Sequence, residues 1–177
     1  MISIIRFFQN KGVHILFAST EFVFDGEKGN YFEEDIANPI LVYGEHKLEI
    51  EQYLCKYENS CILRLGKVYG NKIGDGTLFS DWVPQLLENQ AIKCASDQFF
   101  SPVFVGDVVD IIEFVFERDI IGKYHISCGQ RYSRINLLDM LKSVMNSKSN
   151  LINVSIDEFD LPEKRPKDVS MVSNKIA

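Results

Sequence analysis

A tyrosine and a lysine stand four residues apart in the segment YGEHK, at Tyr43 and Lys47. Side chains at this spacing lie on one face of a helix, about 6 Å apart. An ammonium group near a phenol favours the phenolate form, which makes the phenol a better proton donor to a carbonyl that is being reduced. The spacing therefore suits a proton-relay site, although the bare pattern is more typical of a solvated helix face.

The elements around this pair decide whether it can act. Asn38 and Pro39 predict the start of a helix that runs to about residue 57, with Asn38 as the N-cap. A continuous apolar run, VHILFAS, predicts a buried strand before it, and Ser19 and Thr20 close that strand. Ligands of open α/β sheets bind at the carboxyl ends of strands. A strand-end hydroxyl is thus well placed to bond the same carbonyl oxygen, and a glycine next to Tyr43 indicates close packing of the helix.

Strands and helices alternate along the rest of the chain, which predicts a parallel sheet of crossover units and an α/β fold. The Gly-rich segment KVYGNKIGDGT is predicted as a loop, and QFFSPVFV as an irregular or edge segment because it contains proline. Further helices are predicted at 1–9, 77–89, 106–117 and 133–145, the last with Ser133 as N-cap, and further strands at 60–66, 91–97, 122–128 and 151–156.

Composition excludes several classes of protein. The 177 residues carry a net charge of −6 and no basic run, which argues against a nucleic-acid partner. No apolar run is long enough to span a bilayer, so no membrane role is expected. The four cysteines form no Cys-x-x-Cys pair and the three histidines are scattered, so we predict no metal site. Reduced thiols in a cytoplasmic protein are the simplest interpretation.

A series of short words turns the Tyr-Lys pair into a more specific signal. STEFVFDG, YFEEDIANPILVYGEHKLEIE, CILRLGKVYG, DQFFSPVFVGDVVDII, GKYHISCG and RPKDVSMVSNK occur in this order. The series resembles the extended short-chain dehydrogenase/reductases, and most closely the dTDP-4-dehydrorhamnose reductase branch. The resemblance runs from about Gly12 to the end of the chain.

The resemblance implies a role for each matching residue. The tyrosine and lysine would serve both catalysis and cofactor binding, the strand-end threonine would bind the substrate carbonyl, and the segment RLGKVYG would lie beside the nicotinamide of NADPH or NADH. It assigns catalysis to Thr20, Tyr43 and Lys47, cofactor binding to Tyr43, Lys47 and Val68, and binding of a sugar-nucleotide substrate to Ser19, Gln98 and Pro102.

Two departures from the family pattern stand out. Glu21 occupies a position where the family usually has aspartate, a conservative change. The Gly-rich turn that cradles a dinucleotide pyrophosphate at a helix N-terminus has no counterpart in this sequence. We therefore expect a partial Rossmann-like parallel sheet over residues 1–70 and mainly a small substrate-binding subdomain over 71–177, with strands that return to the sheet. We also expect this chain alone to bind the cofactor poorly.

Three hypotheses of function follow. The first is NAD(P)H-dependent reduction of a 4-keto-deoxysugar nucleotide, in a truncated or incomplete form that is inactive alone. The second is a non-catalytic binding or regulatory subunit of the same family, and the third is a gene fragment without independent activity. A homodimer or a protein partner is compatible with the first two, because an exposed sheet edge and apolar patch would need cover.

Overall fold

Helices and strands alternate along the chain, which confirms the predicted α/β class. The structure, a computed structural model, describes residues 1–175. Its helices are α1 (Ile2–Gln9), α2 (Val42–Leu54), α3 (Leu78–Leu87), α4 (Val105–Glu117) and α5 (Arg134–Val144). Its strands are β1 (Ile15–Thr20), β2 (Ser60–Leu65), β3 (Lys67–Tyr69), β4 (Ile92–Ala95), β5 (Phe99–Phe100), β6 (Pro102–Phe104), β7 (Gly122–Ile126), β8 (Tyr132–Ser133) and β9 (Leu151–Val154). Short 3-10 helices follow β1 (Glu21–Val23) and β9 (Ile156–Glu158).

A parallel three-stranded sheet in the order β1-β2-β7 forms the centre of the fold. The other strands pair two by two: β3 with β6 and β4 with β9 in parallel, and β5 with β8 antiparallel. Strand β1 pairs on one side only within the described residues, so its other side is an open edge.

Both faces of the central sheet are covered, because successive residues of a strand point to opposite sides. Phe17 and Ile62 are register partners and pack against α1 and α2. Cys61 and Leu63 point the other way and pack against α4. A separate core lies between α3 and α5 with β4, and Trp82 and Leu138 are buried in it.

Two predictions about local structure are wrong. Helix α2 begins at Val42 with Leu41 as its N-cap, not at Asn38. Asn38 precedes this N-cap by almost a full helical turn and so is too far from the first turn to cap it. Its side-chain N–H group donates a hydrogen bond to Asp25 Oδ2 at 3.0 Å. The segment 67–69, predicted as loop, is strand β3 because it pairs with β6.

Other boundaries agree with the sequence. Ser133 caps α5, where its Oγ accepts a hydrogen bond from the backbone N–H of Asn136, which confirms the predicted N-cap. The division into two domains remains a prediction. No helix within residues 1–175 is both long and apolar enough to cross a membrane.

Candidate active site

Tyr43 and Lys47 lie on one side of α2, at the surface. Lys47 Nζ is 5.7 Å from the centroid of the Tyr43 ring and 4.9 Å from that of Phe17 in β1. Tyr43 is 50% exposed. Both residues line a groove of about 460 Å³ between the start of α1 and α2. The predicted pair is therefore accessible to a bound molecule.

The ammonium group of Lys47 is anchored to the edge of the sheet. It donates a hydrogen bond to the carbonyl oxygen of Ala18 at 2.7 Å, and Ala18 is the exposed residue of β1. Partial burial lowers the pKa of Lys47. An ammonium group has three N–H donors, so two remain for the hydroxyl groups of a ligand.

Gly44 lets α2 approach the segment after β1. A methyl group on Gly44 would overlap the carbonyl oxygen of Phe22 and would lie 2.9 Å from Pro39 Cβ. The close packing indicated by this glycine is thus present. The Phe22 ring also packs edge-on against the Tyr43 ring, with centroids 6.4 Å apart and planes at 79°. These contacts set the position of the phenol relative to the end of β1.

The two hydroxyl residues at the end of β1 have different environments. Thr20 Oγ1 accepts a hydrogen bond from the backbone N–H of Phe22 at 3.3 Å. Within residues 1–175, no group accepts a hydrogen bond from the Thr20 hydroxyl. Ser19 is 3% exposed, and its Oγ donates to Glu51 Oε1 at 2.5 Å. Thr20 is also buried, at 7% exposed, but its hydroxyl proton has no acceptor among the described residues, whereas the Ser19 hydroxyl is bound to Glu51.

A buried acid follows Thr20 directly. Glu21 is 3% exposed, and its Oε2 has no hydrogen-bond partner among the described residues. Burial raises the pKa of Glu21 to about 8, against the opposing effects of the Lys67 ammonium and backbone N–H. Burial also lowers the pKa of Lys67, and Glu21 opposes that shift. Glu21 and Lys67 thus interact electrostatically beside the predicted catalytic threonine.

The other predicted residues lie elsewhere. Val68 is half-buried in β3 and packs against the core beneath α4. Gln98 is buried, and its side-chain oxygen accepts from Arg134 Nη1 at 3.2 Å. Pro102 lines a second cleft of about 700 Å³ that has aromatic walls and includes Phe104. The groove beside α2 thus contains only Tyr43 and Lys47 of the predicted set.

Several residues that neighbour the site could not be predicted from the sequence. The guanidinium of Arg165 lies 5.9 Å from the centroid of Phe22, and Glu163 Oε1 accepts from the backbone N–H of Val42 at 3.3 Å. These contacts span more than a hundred residues of sequence, so no spacing rule reveals them. Glu51 is different, because it follows Lys47 by four residues and the helical period places it on the same face.

No metal centre is formed by the part of the chain that the structure describes, since no three His, Cys, Asp or Glu residues cluster. His125 is fully buried. Its Nδ1 lies 3.1 Å from the carbonyl oxygen of Val172, and its ring packs edge-on against Phe24.

The chain is similar in sequence and in fold to several known proteins. The chain is 36% identical over 112 residues to a dTDP-4-dehydrorhamnose reductase of Aggregatibacter actinomycetemcomitans, covering 62% of this chain and 37% of that protein. It is 26% identical over 173 residues to methionine adenosyltransferase 2 subunit beta of Xenopus tropicalis, covering 93% and 52%. The crystal structure of dTDP-4-dehydrorhamnose reductase from Bacillus anthracis in complex with NADP superimposes with a TM-score of 0.83 and 28% identity, covering 92% and 58%.

Some of these relatives match most of this chain. The chain spans little more than half of their length. The family described as the RmlD substrate binding domain matches residues 3–177. This match covers nearly every residue, including the helix of Tyr43 and Lys47, the strand end at Thr20 and the segment of Arg165. The chain therefore belongs to the RmlD substrate-binding domain family.

Proposed function

We propose that this chain carries the proton-donating part of a sugar-nucleotide reductase that reduces a 4-keto-deoxysugar nucleotide. One observation carries the proposal: an exposed phenol, Tyr43, shares a groove with the Lys47 ammonium, in a chain of this family. The relative named dTDP-4-dehydrorhamnose reductase supports the substrate class.

The chemistry assigns one task to each residue. Tyr43 transfers its phenolic proton to the oxygen of the keto group as that oxygen gains negative charge. The unused hydroxyl proton of Thr20 donates a hydrogen bond to the same oxygen. The positive charge of Lys47 stabilises the phenolate left on Tyr43. In each turnover, one proton thus passes from the Tyr43 hydroxyl group to the substrate oxygen.

A nicotinamide cofactor, NADPH or NADH, supplies the hydride when it is bound. The two free donors of Lys47 at the open edge of β1 suit a ribose hydroxyl group. We assign Tyr43 and Val68 to the nicotinamide end as well, by family resemblance. The 177 residues contain no Gly-rich turn for the pyrophosphate, so the residues present fit the nicotinamide end alone.

Substrate binding is assigned by resemblance to Gln98 and Pro102. Gln98 is held by Arg134, and Pro102 lines the aromatic cleft. Ser19 was expected to join them, but its hydroxyl already donates to Glu51. We therefore assign substrate binding to Gln98 and Pro102, and a different role to Ser19.

The decisive experiment measures oxidation of NADPH that depends on dTDP-4-dehydrorhamnose. The protein is this chain together with a dinucleotide-binding segment from one of its longer relatives, joined or added. We expect Tyr43→Phe to lower the rate by about 10²- to 10⁴-fold, the usual contribution of a general acid. Tyr57→Phe is the matched control, since Tyr57 is also exposed and its hydroxyl group bonds only to that of Tyr53 among the described residues. Equal rates for the two variants would contradict the assignment.

A second candidate is a non-catalytic subunit that binds another protein. Relatives named methionine adenosyltransferase 2 subunit beta favour it. The exposed residues Ile4, Phe7 and Phe8 on α1, close in sequence to the open edge of β1, form the kind of apolar surface that a partner covers. Co-purification of a partner in a fixed ratio, with no carbonyl-dependent oxidation of NADPH, would support this candidate over the first.

A further inference from the structure

A buried network joins β1, β2 and α2 directly below the candidate site. Ser19 and Arg64 are register partners in the parallel pair β1–β2, so their side chains leave the sheet on the same face. Glu51 of α2 meets both. It accepts from Ser19 Oγ at 2.5 Å, and from Arg64 Nε and Nη2 at 3.0 and 2.7 Å.

The network is closed to solvent. The side chains of Arg64 and Glu51 are 1% and 2% exposed, and the guanidinium also lies 5.0 Å from the centroid of Phe24. Arg64 Nη1 has no partner among the described residues. Such a pair is weak evidence for stability, because apolar residues of similar size often replace buried ion pairs without loss. Its geometry indicates another purpose.

The network joins α2 to β1, the two elements that carry the proposed catalytic groups. Glu51 lies one helical turn after Lys47 on the same face of α2. Ser19 lies between Ala18, whose carbonyl oxygen accepts from Lys47, and Thr20. The bond from Ser19 to Glu51 therefore runs beside the bond from Lys47 to Ala18, and together they fix the helix to the strand at two points.

We propose that Glu51 is a positioning residue, which with Ser19 and Arg64 holds Lys47 of α2 against the edge of β1 and so sets Lys47 and Tyr43 relative to Thr20. The catalytic consequence rests on the proposed function, but the position of Lys47 does not. The role of Ser19 is then to anchor the helix rather than to bind substrate.

The test follows Lys47 in the chain itself, without cofactor or substrate. Trace acetylation at a series of pH values, with each lysine quantified by mass spectrometry, yields the pKa of the Lys47 ammonium. The main variant is Glu51→Leu/Arg64→Met, which removes both charges together and leaves no buried ion unpaired. Loss of the anchor lets the ammonium move into water, so we expect the pKa of Lys47, lowered by burial in the native protein, to rise to the ordinary lysine value.

Electrostatics alone predicts a different result. The double variant leaves the net charge unchanged, so its direct effect on Lys47 is small. The single variant Glu51→Gln removes one negative charge near Lys47, which by itself would lower the pKa further. A rise in both variants therefore reports movement of the helix. Glu45→Gln removes a negative charge from an exposed position on the same helix and is the matched control, which should lower the pKa of Lys47 slightly and should not raise it.

An unchanged pKa of Lys47 in a folded double variant overturns the proposal. If that variant does not fold, judged by circular dichroism, Ser19→Ala takes its place, because it deletes one hydrogen bond and leaves the ion pair intact. A smaller upward shift is then expected, and no shift overturns the proposal. Failure of the reductase assay would leave all these readouts valid, so the two proposals fail separately.

Discussion

Gly44 packs against the carbonyl oxygen of Phe22 so closely that no Cβ fits between them. The contact places α2 across the segment that follows β1, and Tyr43 is the residue next to it. The phenol and the strand-end threonine are thus related through a backbone contact rather than through their own side chains. A backbone carbonyl cannot move aside as the tip of a flexible side chain can, so the contact is a sensitive point of the site.

Replacement of Gly44 by alanine tests this contact. Alanine normally stabilises a helix interior by about 1 kcal/mol relative to glycine, whereas overpacking costs about 1–3 kcal/mol. We expect the overlap to win, so that the free energy of unfolding in urea falls by about 1–2 kcal/mol. Glu45→Ala, one residue along and exposed, should change it little. A more stable Gly44→Ala protein would show that α2 lies farther from Phe22.

Glu21 should make stability depend on pH. Its pKa is raised to about 8 by burial, above the value near 4.3 for an unfolded chain, so the folded state binds more protons between these values. Its contribution is therefore full below about pH 4 and is lost as the pH rises toward 8, with a slope of at most about 1.4 kcal/mol per unit. Urea unfolding at pH 5 and pH 7 should show a smaller difference for Glu21→Gln than for the native protein.

The control for that series is Glu45→Gln, an exposed carboxyl that should keep the native dependence. Both measurements lie below pH 8, where the opposite shift of Lys67 has little influence. A Glu21→Gln protein with the full native slope would mean that the folded protein keeps this carboxyl ionised throughout.

His125 should make the protein less stable as the pH falls, the opposite of the effect of Glu21. Burial lowers its pKa to about 4, with Arg64 acting in the same sense and Glu33 opposing, against about 6.5 when unfolded. Its contribution to stability is present above pH 6.5 and is lost as the pH falls toward 4, because only the unfolded state takes up the proton. In His125→Gln the free energy of unfolding should therefore fall less between pH 7 and pH 5. The exposed His46→Gln variant should behave like the native protein, and matching slopes in both variants would refute this account.

Binding of the cofactor provides a further prediction. The sequence contains no Gly-rich turn for a pyrophosphate, and the proposed contact of Lys47 with a ribose hydroxyl group would not replace it. We expect isothermal titration of this 177-residue chain with NADPH to show no binding in the micromolar range. Micromolar affinity would mean that other residues of the chain hold the phosphates.

The sequence by itself determined the class of the fold and the placement of Tyr43 and Lys47 on one face of a helix. Apolar runs of strand length that alternate with helical periods leave little choice but a parallel α/β arrangement, and a spacing of four puts Tyr43 and Lys47 on one face in any helix. The hydrogen bond that caps α5 at Ser133 was also predictable, because a cap depends on its immediate neighbours.

Tertiary structure decided which polar groups are free. Asn38 was expected to cap α2 but bonds to Asp25, and Ser19 was expected to bind substrate but donates to Glu51. The hydroxyl proton of Thr20, the next residue, has no acceptor within residues 1–175. Sequence indicates which groups can form hydrogen bonds, but the partners of Asn38 and Ser19 come from distant parts of the chain and are fixed only when the chain folds. The fold thus leaves the Thr20 hydroxyl proton without an acceptor among the described residues and binds the Ser19 hydroxyl to Glu51 of α2.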